Sequence, residues 1–353
     1  MPGFVLGECV FKNEKTWIKI PAYVVLSTIV SVCCSYVNSL IFGFSRSTNL
    51  CCFVFFVFLL IVKLVKDKKP FFDFKENITT YIVGAVIFLI FFISLYPGLF
   101  KLYKGYFVMS GPNWQDTAMH FSIIQSISQG NFPPQAPYFS GHGLSYYYFS
   151  DFHAAIIGSF IGGFSPNYLV YLVSLFASIF FFSVFALVYE FTKDKLISVF
   201  AGIGSVFFGN LGFINLIKDF FAKDHNLINL IANSPYSLDN KYLLMVPMSD
   251  YLLQNRPMMI GLPVFTMVIF FILKNAKNRK EELVNTAVSG ILTVSLIKFQ
   301  LFGFVSAWIF ASIFFLANIY TDKKLFYKKC INFLLFLIPS LISVCVLIFS
   351  KTG

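Results

Sequence analysis

Residues able to do chemistry are crowded into one stretch of this chain, Asn113 to His153. It holds Asp116 and Asp151, three of the four histidines, three of the fourteen prolines and the run Tyr146-Tyr147-Tyr148, between strongly apolar neighbours. Ionisable residues between membrane spans are costly to place and mark a pathway or a site. Asn113 is a natural N-cap and Gly130 a natural stop, which predicts a surface helix over 113–129 with Trp114, Ala118, Phe121 and Ile124 as its apolar face. Asn113, Asp116 and His120, at i, i+3 and i+7, then share the opposite face. A carboxylate one turn from an imidazole can act as a general base or bind a cation. The plainer reading of Asp116 is an N3 carboxylate returning a hydrogen bond to the cap.

Phe132-Pro133-Pro134-Gln135-Ala136-Pro137 cannot be helical and predicts a rigid extended connector, followed by a turn at Ser140-Gly141-His142-Gly143. Tyr146, Tyr147 and Tyr148 then lead to Asp151 and His153, a cluster suited to holding a polar substrate. Interfacial tyrosines also serve as plain membrane anchors. A second loop ends at Arg256, its only arginine, and guanidinium is the preferred fork for phosphate oxygens. The competing reading is a juxtamembrane charge snorkelling to the interface. Lys298 and Gln300, between two predicted spans, can support the same site or simply form a hairpin turn.

These residues need a scaffold, and composition says which kind. The chain is 58% apolar and 12% charged, with a mean hydropathy of +0.76, which excludes an ordinary soluble domain. Charges cluster between apolar runs of about 15–25 residues, the length a helix needs to cross a bilayer. Alternating ten-residue strands of the barrel type do not occur. The sequence therefore predicts an all-α polytopic membrane protein with nine to ten transmembrane helices. A net charge of +11 does not indicate nucleic acid. Only three residues are arginine, and most lysines flank predicted spans. Cys33, Cys34, Cys51, Cys52 and Cys345 lie within apolar runs, and Cys330 at the edge of one; they read as small packing residues. No P-loop, HExxH, GxSxG or CxxC motif occurs, which weakens ATPase, zinc-protease, serine-hydrolase and redox readings. No residues stand out as metal ligands, and a divalent metal is left open as a cofactor.

The predicted spans are 20–43, 50–65, 78–100, 168–191, 196–217, 257–274, 284–297, 299–319 and 330–349. The first acts as an uncleaved anchor, since its apolar run is long and lacks a small-residue cleavage site. Lysine-rich loops around 63–75, 274–280 and 323–329 should face the cytoplasm, which puts loops 101–150 and 218–256 together on the outer face of a cytoplasmic membrane. A tenth apolar segment, 152–164, would flip the second loop inward if it crossed. At about 1.5 Å per residue it is too short, and a partial or tilted helix is expected. This organises the chain as an N-terminal segment of two helices over 1–75 and a core over 76–353. Both ends look abrupt, as in a piece of a longer protein.

Asp116 after a membrane helix, His120 a turn later, Phe132-Pro133-Pro134, and Gly143-Leu144-Ser145-Tyr146-Tyr147-Tyr148-Phe149 together resemble an uncharacterised integral membrane family with a YYY motif. The match covers roughly 110–215, with a looser one through 251–320. The usual glycine two residues after the last tyrosine is Ser150 here. That family in turn resembles the GT-C class of membrane glycosyltransferases, which use polyprenyl-phosphate-linked sugars. The resemblance implies a GT-C-like fold, Asp116 as the acidic residue near the acceptor and Arg256 as a holder of the lipid phosphate. A glycosyltransferase acting on an envelope acceptor, with membrane lipids and a polyprenyl-phosphate sugar as partners, is therefore expected. The alternative is a non-catalytic lipid- or glycan-binding subunit of envelope assembly. A transporter fits less well, because its ionisable residues would lie near the bilayer centre rather than in loops.

Overall fold

A computed structural model describes residues 2–67, 72–96, 101–108, 117–137, 139, 141–163, 165, 167–207, 212–222, 225–226, 256–321 and 326–349. The helices are α1 Pro2–Phe11, α2 Thr16–Phe42, α3 Arg46–Asp67, α4 Ile78–Leu95, α5 Thr117–Ser128, α6 Phe149–Ile161, α7 Asn167–Thr192, α8 Lys195–Phe207 and α9 Gly212–Ala222. They continue with α10 Arg256–Leu273, α11 Arg279–Phe299, α12 Leu301–Thr321 and α13 Phe326–Phe349. A small antiparallel hairpin, β1 Lys101–Tyr103 with β2 Tyr106–Val108, follows α4. Among the described residues, seven helices are long and apolar enough to cross a membrane, and three shorter apolar ones accompany them. The protein is thus a polytopic all-α membrane protein.

Helix α7 is the hub. Its candidate span is 83% buried, and α2, α4, α8 and α10 pack around it. Helix α3 is the opposite case, with 6% of its span buried and Phe55, Phe58 and Val65 turned outward. Between helices in lipid there is little hydrophobic drive, so close packing and polar contacts must hold the bundle. Gly3 and Gly7 let α1 lie directly on α2: a Cβ at Gly7 would come within 2.3 Å of the Tyr23 ring. Beside them Glu8 accepts from Lys19 Nζ at 3.1 Å and from Tyr23 Oη at 2.7 Å, so this buried charge is paired. The N-terminal part, expected to hold two helices, contains three, because Pro2–Phe11 before α2 is also helical.

Two ends of the bundle can be told apart by their contacts. At one end Lys15 pairs with Glu76, Lys195 donates to the Glu76 carbonyl, and Lys274 pairs with Glu14 and Glu281. This lysine-rich end gathers the α1–α2, α7–α8 and α10–α11 junctions. At the other end Tyr36 near the close of α2 packs on Phe132, Phe149 and Phe152, while Phe149 meets Phe299 at the end of α11. Gln300 there donates to Met258 Sδ in the first turn of α10. The 117–150 region and the start of α10 consequently share one end.

Helix α6 stays at that end. Phe149 at its start touches Tyr36 and Phe299, and near its close Ser159 accepts from Asn49 in the first turn of α3. Thirteen residues reach only about 20 Å. The partial helix expected from the sequence is what forms. Within the predicted span over 196–217 the described residues form α8 and α9, and 208–211 lie outside them.

Candidate functional site

Helix α5 buries Thr117, His120, Ile123, Ile124 and Ile127, an i, i+3, i+4, i+7 stripe running from His120. This corrects the sequence reading, which turned His120 away from the packed face. Ala118 is exposed and Phe121 only half-buried. Three isoleucines outweigh an alanine and a phenylalanine in deciding which face packs, and they take the imidazole in with them. Gly130, at φ +91°, closes the helix as expected.

Burying an imidazole requires a partner. His120 Nδ1 lies 3.0 Å from Asp151 Oδ1 and 2.8 Å from Oδ2. The two side chains are 1% and 0% exposed. Asp151 is the third residue of α6, where the free amides and the helix dipole favour a negative charge. A carboxylate only accepts, so Nδ1 carries the hydrogen, which in a neutral ring leaves Nε2 as the acceptor. The Tyr146 ring stands edge-on to the imidazole at 5.7 Å and stacks on Tyr147 at 4.2 Å. Beyond Tyr146 a hollow of about 470 Å³ opens between Met119 of α5 and the 136–146 loop. That loop is pinned by Ala136 N to His142 O and Leu144 N to Pro134 O, with Gly141 at φ +83° near its tip. His142 is exposed on the tip, apart from the His120–Asp151 pair.

Tyr148 precedes α6 and is buried. Burial, with the Tyr36 phenol beside it, pushes its hydroxyl well above the ordinary tyrosine range, so it stays protonated. Over its ring, 5.8 Å from the centroid, lies Lys298 Nζ. Lys298 is half-buried in the last turn of α11, and no carboxylate among the described residues lies within ion-pair distance of it. Gln300 is accounted for differently. Its Oε1 accepts from Phe302 N at 2.7 Å and its Nε2 reaches Met258, so it fastens the α11–α12 junction to α10.

The structure therefore gathers His120, Asp151, Tyr146, Tyr147, Tyr148 and Lys298 at one end of the bundle. Asp116, Asn113 and Trp114 lie outside the described residues. Arg256 opens α10 at the same end, and its side chain also lies outside them. His153 is not part of the cluster: on α6 it faces away from the pair, against Phe176 and a separate cavity. The pairing of His120 with Asp151 was not foreseen from sequence. Its signal was there, since His120 continues the isoleucine stripe and an inward imidazole calls for a carboxylate.

Residues 29–229 match the sequence model of a family described as uncharacterized membrane protein, DUF2298. The matched region contains the whole α5–α6 pair and ends before Lys298. No curated protein and no solved structure matches the chain.

Proposed function

The chain belongs to the DUF2298 family of uncharacterised membrane proteins, and we propose that it is a GT-C-like glycosyltransferase using a polyprenyl-phosphate sugar at the outer face of a cytoplasmic membrane. The observation that carries this reading is Lys298. A half-buried ammonium with no carboxylate partner among the described residues, at the end of a membrane helix, suits an anionic group presented from the bilayer, and a lipid phosphate is such a group.

In this reading the acceptor hydroxyl attacks the anomeric carbon of the donor. A new C–O bond forms, the bond to the phosphate oxygen breaks, and polyprenyl phosphate leaves with the electron pair. Asp116 takes the hydroxyl proton, a role that rests on the resemblance of the motif around it. Lys298, together with Arg256, stabilises the charge developing on the departing phosphate. His120 is sealed beneath Tyr146 and acts as a positioning residue: its bond to Asp151 fixes on α6 the helix that Asp116 immediately precedes in sequence. The hollow beside Tyr146 offers room for the acceptor.

The test is a transfer assay with radiolabelled polyprenyl-phosphate sugars, run beside lipid-binding measurements on purified protein. Asp116→Asn should lower transfer by about 10²–10⁴-fold and leave donor binding intact. Undiminished transfer would remove Asp116 as the base. Lipid binding by wild type with no transfer across a broad donor panel would replace the enzyme reading with a non-catalytic envelope-assembly subunit.

A further inference from the structure

At the lysine-rich end of the bundle a hollow of about 640 Å³ opens between the close of α1, the last turns of α3 and the junction of α10 with α11. Four lysines line it: Lys12 just past α1, Lys63 on α3, Lys277 between α10 and α11, and Lys280 in the first turn of α11. Like charges drawn from three separate parts of the chain repel one another, so the hollow needs negative charge.

Glu8, Glu14 and Glu281 also line it, but each already serves a lysine behind the wall. Glu8 accepts from Lys19 Nζ at 3.1 Å and from Tyr23 Oη at 2.7 Å. Lys274 Nζ donates to Glu14 at 2.7 Å and to Glu281 at 3.1 Å. The Lys19 and Lys274 side chains are 8% and 7% exposed, and buried ammonium groups keep their carboxylates because an unpaired charge there is costly. Six lysines thus stand against three glutamates in and just behind the wall. Lys277 and Lys280 are exposed, and no carboxylate among the described residues lies within ion-pair distance of either ammonium.

The surroundings say where the missing anion comes from. Lys63 sits among Ile61, Val62, Leu64 and Val65, all open to the outside, on a helix whose span is 6% buried. Val10, also exposed, extends the apolar edge onto α1. Hydrocarbon covers such a flank in a bilayer, so the hollow opens beside lipid at the end of the span. A small ion from water would use the lysines and leave the flank idle. A phosphate carried on acyl chains uses both, with its charge among the lysines and its chains along α3. Lysine clusters beside a membrane helix recognise anionic headgroups in this way. We propose that the hollow between α1, α3 and the α10–α11 junction binds the phosphate of an anionic phospholipid. The proposal is independent of the transfer chemistry: it uses none of the residues assigned to that chemistry and concerns the opposite end of the bundle.

The probes are phosphatidylglycerol and phosphatidylcholine with the same diazirine-bearing acyl chain. Each is photolysed with the full chain in phosphatidylcholine nanodiscs and mapped by mass spectrometry. Phosphatidylglycerol should label α3 over 56–67 about tenfold more strongly than phosphatidylcholine. Lys277→Gln with Lys280→Gln should remove most of that preference, and both side chains are exposed, so the fold should tolerate the change. Lys193→Gln with Lys328→Gln removes the same charge at the same end but outside the hollow, and should leave the preference intact. Inorganic phosphate should compete no better than chloride at equal ionic strength. Equal labelling by the two lipids in wild type overturns the proposal. So does a preference that survives the first pair of substitutions, or one lost equally in both pairs, which would make it a property of general surface charge. Displacement by inorganic phosphate but not by chloride would assign the hollow to a soluble anion and overturn the lipid as its source.

Discussion

His120 on α5 and Asp151 on α6 form a buried pair, with Nδ1 within 3.0 Å of both carboxylate oxygens. The bond joins the first helix of the loop region to the partial helix that follows it. It reaches across 31 residues that include the proline-rich connector and the tyrosine run.

Breaking the pair from one side should therefore be worse than removing it. His120→Leu or Asp151→Leu alone leaves a buried polar group stranded and should cost about 3–5 kcal/mol. The double substitution should recover much of that. Thermal unfolding of purified protein in detergent, arranged as a double-mutant cycle, reads this coupling. Simple additivity of the two singles would mean that the pair does not hold α5 to α6.

Lys298 should matter to ligand binding more than to folding. Lys298→Met keeps the chain against Tyr148 but loses the charge, so polyprenyl-phosphate affinity should fall by about tenfold or more, the scale of one charge-assisted contact. Lys298→Arg should retain most of it. Affinity unchanged in the methionine variant would show that the ammonium does not meet the phosphate.

Two glycines on opposite sides of α8 should respond in opposite directions. A Cβ at Gly202 would fall 2.6 Å from the Phe181 ring and 3.2 Å from its carbonyl, whereas at Gly204 nothing lies within 4 Å. Gly202→Ala should destabilise by about 1–3 kcal/mol through overpacking against α7. Gly204→Ala should stabilise by about 0.5–1 kcal/mol by restricting the unfolded chain. Melting temperatures of the two variants, measured side by side, check the packing of α8 on α7.

The expectation that loops 101–150 and 218–256 share one face has a topology test. With the native cysteines removed, cysteines introduced at Gln135 and at Asn233 should both react with an impermeant thiol reagent applied to intact cells. Reaction at position 233 only after permeabilisation would put the second loop on the cytoplasmic side.

Much of the scaffold is set by sequence alone. Long apolar runs between charge clusters leave a helix in a bilayer as the only way to satisfy each backbone amide, so α2, α3, α7, α12 and α13 are legible as spans. The absence of helix over Pro133–Pro137 and the stop at Gly130 are equally local, since they follow from a missing donor and from φ. Position 152–164 was legible too, because length by itself keeps thirteen residues from crossing. Which partner each polar residue finds is not a local property. His120 turned inward because three isoleucines on its own helix pack, and Asp151 met it only because α6 lies beside α5. Lys298 and Gln300 are two residues apart, yet Gln300 fastens a helix junction and Lys298 stands over Tyr148. His153 is two residues from Asp151 and serves a different cavity, because successive helix positions two apart point to opposite sides. Periodicity determines the elements; only the docking of one element on another decides which ionisable groups meet.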